Sequence, residues 1–196
     1  SVDCKVSFIN NTQLIKDKGT CRIRGNSSSK NEKKPYTIKL KNEYELIETR
    51  KFNKWILLAN YADKSLLRTT LAFEINNLFG MVYTVTCRPI EVILNGEYKG
   101  TYDICEEIDI AQKKLNLVTM GNTDIDGENI SGGYLIEIDG FAYTEMTFFI
   151  TDKGLPMTIK YPKSENILLV QKNYIEDKFN ELEREVFNYN ITNIDI

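Results

Sequence analysis

The segment from Pro89 to Glu106 is the feature that most constrains the fold. Asn95-Gly96 separates two runs in which apolar and polar residues alternate, and this dipeptide favours the type I′ turn that joins antiparallel strands. Gly100, in the middle of the second run, indicates a β-bulge or a close backbone approach. The chain is therefore expected to build an antiparallel sheet that includes this hairpin.

Other segments have the patterns of strands and helices. Alternation or short apolar runs predict strands at residues 3–9, 19–24, 36–40, 55–59, 134–139, 147–151 and 158–161. One helix is predicted from Asp63 or Ser65 to Gly80, with an apolar stripe of Leu67, Leu71, Ile75 and Leu78. A second is predicted from about Glu165 to Asn188 and is capped by Ser164. These elements predict an α+β fold, rich in antiparallel strands, with one internal helix and a long C-terminal helix.

Composition excludes several classes of protein. The 196 residues are 42% hydrophobic and 27% charged, as is typical of a soluble globular protein, and no run approaches the length of a membrane helix. Histidine is absent from the sequence, which removes Ser-His-Asp and Cys-His catalysis and any His-ligated zinc site. The net charge of −3 and the lack of an extended basic stripe disfavour nucleic-acid binding.

The four cysteines leave two interpretations open. Cys4, Cys21, Cys87 and Cys105 contain no C-x-x-C pair, which argues against zinc. Each lies in a strand-like run, so all four are interpreted first as small buried hydrophobic residues. The alternative is two disulfides in an exported protein, with Cys4–Cys21 as the local candidate if the strands that carry them are neighbours.

Charge is unevenly distributed along the chain. Arg22 to Lys41 holds seven basic residues and one acidic residue, whereas Asp103 to Glu145 holds ten acidic residues and two lysines. In the basic segment, the glycine turn at Gly25 and the serines after it supply backbone N–H groups and hydroxyls that suit a phosphate. By composition alone, a solvated hairpin with ordinary surface lysines is the simpler interpretation.

The polar loop at residues 121–133 resembles a calcium loop at its start. Asp124 and Asp126 are weak candidates for metal ligands, because they stand at the spacing with which an EF-hand opens. The twelfth position, however, is Gly133, where an EF-hand needs a bidentate glutamate. An ordinary turn rich in Asn and Asp is therefore favoured.

Four groups of residues together resemble the CotH family, the spore-coat-protein-H type of atypical protein kinase. They follow one another in the family's order over most of residues 20–165. The groups are Arg24–Ser28 with Lys34–Leu40, Trp55–Asp63 with Ser65–Ala72, Val92–Tyr102 with Glu106, and Gly132–Asp139 with Ile159–Pro162.

The resemblance implies a kinase-like fold that binds ATP, with Mg²⁺, between two lobes. Residues 1–163 would form the N-terminal lobe, with a β-insertion at about 121–163, and residues 164–196 would begin the second lobe. Residues Arg24, Ser27 and Ser28 would lie over the phosphates.

The resemblance also implies a lysine and its partner. Lys39 is the preferred strand lysine for the α- and β-phosphates, because it points away from the face of Tyr36, Ile38 and Leu40, and Lys34 is the competitor. Glu74 on the first helix would pair with that lysine. Glu106 and Glu107 would lie near the hinge beside the adenine.

The sequence departs from the family in its last residues. Between Asn190 and Ile196 there is no Asp-Phe-Gly-like segment of the kind that holds metal and positions the nucleophile. The expectation is a fragment of a larger kinase, inactive alone, or a non-catalytic relative. The parent kinase would phosphorylate Ser or Thr of an exported, spore or surface protein, and would itself be extracellular, at the cell surface or in the spore coat.

A second hypothesis is a binding or structural module. CotH-like domains also resemble parts of bacterial surface and cellulosome-associated proteins and of fungal adhesins. In that case the polar loop 121–133 and exposed aromatic residues would contact a partner protein or a glycan. The candidate aromatic residues are Tyr83, Tyr98, Tyr143 and Tyr161.

Overall fold

The computed structural model describes residues 1–10, 13–48, 51–108, 110 and 115–188. These residues form two compact units, the first comprising the described residues up to 108 and the second those from 110 onwards. The predicted change of lobe near residue 163 stays a prediction. The mixture of antiparallel strands and separate helices confirms the predicted α+β fold.

The first unit contains a six-stranded sheet in which every neighbouring pair is antiparallel. The spatial order is β1-β2-β3-β4-β6-β5, so β4 pairs with β6 rather than with β5. A single α-helix, α1 (Arg68–Leu78), lies between β4 and β5 in sequence. The strands are β1 (Val2–Ile9), β2 (Leu14–Ile23), β3 (Tyr36–Tyr44), β4 (Phe52–Leu58), β5 (Cys87–Leu94) and β6 (Glu97–Glu106), and a 3-10 helix spans Ser28–Lys30.

The hairpin of β5 and β6 forms as the sequence predicts. Asn95 and Gly96 have φ angles of 53° and 82°, and a type I′ turn needs positive φ at both central residues. Gly100 has φ 85° next to the point where the register shifts, after Val92. The mid-strand glycine therefore marks a β-bulge, as expected.

The main core of the first unit lies on one face of the sheet. Trp55 on β4 is 1% exposed, its indole Nε1 donates to the Phe52 carbonyl at 3.1 Å, and the two rings meet edge to face. The buried residues around it come from four segments of the chain and are Leu40, Leu46, Leu57, Ala59, Tyr102 and Ile104. Burial of this apolar face stabilises the register of the central strands.

The helix α1 differs from its prediction in two respects. It begins at Arg68, and Asp63 caps it from a distance, because its carboxylate accepts the Arg68 backbone N–H at 2.9 Å. The helical spacing locates the helix correctly, but the stripe it identifies is not the buried face. The stripe residues Leu67, Leu71, Ile75 and Leu78 are between 41 and 86% exposed.

Phe73 is the α1 side chain that packs against the sheet. It contacts a second buried cluster, on the sheet face opposite Trp55, that contains Ile56, Val85, Cys87 and Cys105. All four cysteines are free thiols in this structure.

The second unit contains a three-stranded antiparallel sheet and a long helix. Its strands are β7 (Leu135–Ile138), β8 (Phe148–Ile150) and β9 (Pro156–Tyr161), in the order β7-β9-β8. The helix α2 (Leu169–Phe187) places Ile175 and Phe179 against the buried residues Phe149, Met157 and Ile159. Two 3-10 helices span Asn129–Ser131 and Ala142–Thr144.

The start of α2 lies later than predicted. The helix begins at Leu169, and the Leu168 backbone N–H donates to the Gln171 side chain at 2.9 Å. Ser164, the predicted cap, instead donates to the Glu165 carboxylate. Of the helices in the described part of the chain, none is long and apolar enough to cross a membrane.

Replacing Trp55 by Ala is expected to lower the free energy of unfolding by about 3–5 kcal/mol, because it opens a cavity in the main core. Urea denaturation followed by far-UV circular dichroism measures the change. Tryptophan fluorescence would not serve, because Trp55 is the single tryptophan and the variant lacks it. Ile93→Ala, at a position that is 69% exposed on β5, is the matched control and should change stability by less than about 0.5 kcal/mol. Equal losses in the two variants would contradict this description of the core.

Asp63 makes the stability of α1 dependent on pH. Its carboxylate accepts from the Ser65 hydroxyl at 2.6 Å and from the Arg68 N–H, and these hydrogen bonds hold the pKa of Asp63 below its ordinary value. The ionised form is therefore favoured by folding. Its contribution is present at neutral pH and is lost as the pH falls from about 4 through the lower folded-state pKa.

The melting temperature of Asp63→Asn should consequently lie below that of the wild type at pH 7, and the gap should narrow as the pH approaches 2. Thermal melts across this range provide the measurement. Asp177→Asn makes the same change of charge at an exposed position of α2 and serves as the control. A gap for Asp63→Asn that stays constant with pH would rule out the capping role of the carboxylate.

Candidate functional site

Basic side chains gather on the sheet face opposite Trp55. In the register of the sheet, Lys39 on β3 lies directly opposite Lys54 on β4, and Arg22 on β2 lies opposite Thr37. Directly paired residues project to the same face, as do alternate residues of one strand, so Arg22, Lys39 and Lys54 share this face. We call this surface of β2, β3 and β4 the basic face.

Arg24 extends the basic face beyond the end of β2. Cys105 lies on the same face, because it pairs with Ile56, which in turn pairs with Thr37. The pKa of Cys105 is raised by its hydrogen bond to Cys87 and by burial, and the Arg24 guanidinium is near enough to oppose that rise. Arg24 therefore contributes positive charge to this side of the sheet.

The two lysines of the basic face have different surroundings. Like charges that lie directly opposite each other destabilise a sheet. The positive charge of Lys54 is balanced by Glu107, because the Lys54 Nζ lies 2.5 Å from a carboxylate oxygen of that residue. Lys39 is exposed, and within the described residues its ammonium has neither a hydrogen bond nor an ion pair.

Further lysines extend the basic face along β2 and onto the edge strand β1. Lys5 on β1 lies directly opposite Lys18 on β2, and Lys16 shares their face. Sequence reasoning missed this continuation, because it searched for a contiguous basic stripe. The signal was present in the alternation of Lys16 and Lys18 with Arg22 and Arg24.

The loop between β2 and β3 is closed by its own hydrogen bonds. Gly25 has φ 87°, and an added Cβ would lie 2.0 Å from the Ser28 hydroxyl oxygen, so the turn requires glycine. The Lys34 ammonium donates to the Ser29 carbonyl at 3.1 Å and thereby joins the two sides of the loop. Ser27 and Ser28, the predicted phosphate donors, are exposed at the loop's surface.

Glu74 on α1 forms an ion pair with Arg88. Its carboxylate lies 3.9 Å from the guanidinium of Arg88, which is also 3.3 Å from Glu48. These side chains line a cavity of about 190 Å³ between α1 and the start of β5. A pair between Lys39 and Glu74 is not among the contacts of the described residues and stays a prediction.

Glu106 has a structural role in this arrangement. It is 7% exposed, and its carboxylate accepts hydrogen bonds from the Thr86 N–H at 3.2 Å and from the Tyr83 hydroxyl at 3.4 Å. These bonds fasten the segment before β5 to the end of β6. The predicted place of Glu106 and Glu107 beside an adenine stays untested.

A buried polar group that sequence reasoning missed lies three residues before Glu106 on β6. Asp103 is 1% exposed, and its carboxylate accepts a hydrogen bond from the Asn60 side-chain amide at 2.6 Å. The side-chain oxygen (Oδ1) of Asn60 accepts in turn from the Thr69 hydroxyl of α1 at 3.4 Å. The signal was a carboxylate inside the otherwise apolar run Tyr102–Cys105. Asn60 thus connects the strand to the helix.

Lys33 lies close to this group. Its ammonium donates to the Thr101 carbonyl and lies 4.4 Å from the centroid of the Tyr102 ring. Burial lowers the pKa of Lys33, and the Asp103 carboxylate opposes that effect. The Lys33 ammonium is therefore bound to β6, whereas the Lys39 ammonium can bind a ligand.

The metal candidates in the polar loop have structural contacts. The Asp124 carboxylate accepts the Gly121 N–H at 2.7 Å, and the Asp124 N–H donates to the Gly121 carbonyl at 3.3 Å, so these two residues close a turn. The buried Gln171 amide donates to the backbone carbonyls of Gly121 and Asp124 and anchors the loop to α2. In the part of the chain that the structure describes, no group of three or more His, Cys, Asp or Glu side chains is placed to hold a metal ion. Asp126 therefore belongs to no such group.

The tyrosines proposed as partner contacts fall into two pairs. Tyr98 and Tyr143 are 58% and 67% exposed. Tyr83 and Tyr161 are half-buried, and the Tyr161 hydroxyl accepts the Met120 N–H. The binding-module hypothesis thus keeps two of its four exposed aromatic candidates.

Comparison with known families assigns the chain to a family. The family model described as "CotH kinase protein" matches residues 21–195, a range that includes the end of β2, the loop after it, β3, β4, α1 and the hairpin. No curated protein matches the chain. Because the match covers most of the sequence, the chain belongs to the CotH kinase protein family.

Proposed function

We propose that the first unit binds the phosphates of ATP on its basic face, as the nucleotide-binding lobe of a CotH-type kinase. The observation that carries the proposal is the state of Lys39. Its ammonium is exposed, has no partner among the described residues, and faces a second lysine across the strand pair. A phosphate is the kind of ligand that satisfies such a group, because each lysine ammonium donates hydrogen bonds to it and carries the opposite charge.

Electrostatics favours an anion at this position. Two unit charges 4 Å apart repel by about 1 kcal/mol in water and by more near a protein surface. Glu107 offsets this repulsion at Lys54 only. A phosphate beside Lys39 would convert the remaining repulsion into attraction.

The geometry supports Lys39 over Lys34 as the phosphate ligand. Lys34 donates to the Ser29 carbonyl and is half-buried within the loop. Lys39 lies in a strand, where its position is fixed by pairing with Thr20 and Lys54 on either side. Arg22 follows on the same face roughly 7 Å along the strand direction, and Arg24 follows by a similar step, so a chain of phosphates has successive cations to contact.

The loop after β2 would cover the phosphates. Ser27 and Ser28 present exposed hydroxyls there, and the turn at Gly25 shapes the backbone that carries them. We assign no residue to Mg²⁺, since the described residues hold no cluster suited to a metal ion. Bound ATP would supply the phosphoryl group, and the basic face would bind and orient it.

The family also suggests the setting of the reaction. Its description as a kinase supports phosphoryl transfer as the reaction, and we propose a Ser or Thr hydroxyl of a protein as the acceptor. We propose an exported, spore or surface protein as that substrate, and an extracellular, cell-surface or spore-coat location.

Replacing Lys39 by Ala should weaken ATP binding by about 10- to 100-fold, the usual effect of losing a hydrogen bond to a charged group. Isothermal titration of the chain with ATP and Mg²⁺ measures the affinity. Lys34→Ala should have a smaller effect, because its ammonium already binds the loop backbone.

Lys163→Ala is the matched control, since it removes the same charge from an exposed position of the second unit. It should leave the affinity within a factor of two or so of the wild type. Equal affinities for wild type and Lys39→Ala would refute the assignment of the site. Glycan binding without any nucleotide binding would instead favour the binding-module hypothesis.

A further inference from the structure

Cys87 and Cys105 form a pair that the nucleotide site does not use. They lie directly opposite each other on β5 and β6, and the Cys105 thiol donates to the Cys87 sulfur at 2.8 Å. Both are buried, at 3% and 2% exposure. Two thiols at this distance, at the end of the strand pair away from its turn, are placed for a reaction with each other.

The register of the sheet fits a disulfide between them. Directly opposed residues of an antiparallel pair have Cα atoms about 4.5–5.5 Å apart, and a disulfide needs about 4.4–6.8 Å. Closing this bond therefore requires a small side-chain movement and no change of register.

The other two cysteines are placed differently. Cys4 lies opposite Gly19 and Cys21 lies opposite Val2, so they are diagonal neighbours, two residues out of register. Diagonal neighbours are about 7–8 Å apart, beyond the usual range of a disulfide. Proximity in sequence made Cys4–Cys21 the local candidate, and the register favours Cys87–Cys105 instead.

We propose that Cys87 and Cys105 form a structural disulfide when the chain folds under oxidising conditions, and that Cys4 and Cys21 remain thiols. The bond would join β5 to β6 beside the α1 contact of Phe73. It would also fix the neighbours of Cys105 on β6, Asp103 and Glu106, relative to β5.

The chemistry requires a disulfide oxidant such as oxidised glutathione or a thiol–disulfide oxidoreductase. The thiolate of one cysteine attacks a sulfur of the oxidant, its S–S bond breaks, and a mixed disulfide forms with release of one thiol. The second cysteine then attacks the mixed disulfide and releases the second thiol. Cys87 and Cys105 together lose two electrons and two protons, and the oxidant is reduced to two thiols.

The structure also predicts when this reaction occurs. The hydrogen bond to Cys87 and burial raise the pKa of the Cys105 thiol, so the reactive thiolate is scarce in the folded chain. An oxidant has little access to sulfurs that are about 2–3% exposed. Oxidation should accompany folding, and the finished bond should resist reductants until the sheet opens.

The test is to refold the chain from denaturant in a buffer of reduced and oxidised glutathione, alkylate it under denaturing conditions and analyse it by mass spectrometry. The expected product carries two alkyl groups, on Cys4 and Cys21, and yields after proteolysis a disulfide-linked pair of peptides that contain Cys87 and Cys105. Its unalkylated mass should be about 2 Da below that of the reduced chain. Four alkylated cysteines, or a linkage between Cys4 and Cys21, would overturn the proposal.

Paired variants separate the disulfide from general effects of serine substitution. In the wild type and in Cys4→Ser/Cys21→Ser, adding reductant during unfolding should lower the melting temperature by about 5–10 °C. In Cys87→Ser/Cys105→Ser it should have no effect. A reductant effect that disappears in Cys4→Ser/Cys21→Ser would contradict the pairing. If Cys87→Ser/Cys105→Ser does not fold, the mass analysis of the wild type decides alone.

Discussion

The pairing of β3 between β2 and β4 is the constraint on which the other features of the first unit depend. Side chains alternate between faces, so a shift of one residue would exchange the apolar and basic faces of a strand. The register that buries Trp55 and Leu57 also places Lys39 beside Lys54. Burying each large apolar side chain is worth about 1.5–3 kcal/mol, which outweighs a lysine–lysine repulsion of about 1 kcal/mol. The core therefore holds the basic face together against its own charge.

Buried polar groups connect this sheet to its surroundings. Asp103 is bound by Asn60, which also accepts from Thr69, so one side chain links β6 to α1. Glu106 fastens the segment before β5 in the same manner, through Thr86. A buried carboxylate without such partners would be strongly destabilising, and these contacts consequently restrict how α1 and β5 sit on the sheet.

The sequence predicted the elements better than their relationships. Local signals suffice for the hairpin, because Asn95-Gly96 specifies its turn, and for the strands, because alternation is visible within each segment. The buried face of α1 was misjudged, since helical periodicity identifies an apolar stripe but not the surface that Phe73 contacts. The partner of Glu74 and the spread of the basic face over β1 and β2 depend on strand pairing between distant segments. The same is true of the opposition of Cys87 and Cys105, which no spacing in the sequence reveals.

The proposed function depends on the binding of nucleotide phosphates to the basic face. Mapping of backbone amide chemical shifts by NMR during titration with ATP and Mg²⁺ tests it most directly, because it locates the ligand without any substitution. The largest shifts are expected in residues 20–24 at the end of β2, in the loop 25–35 and in residues 36–41 of β3. Shifts confined to residues 115–188, or none at saturating ATP, would contradict it.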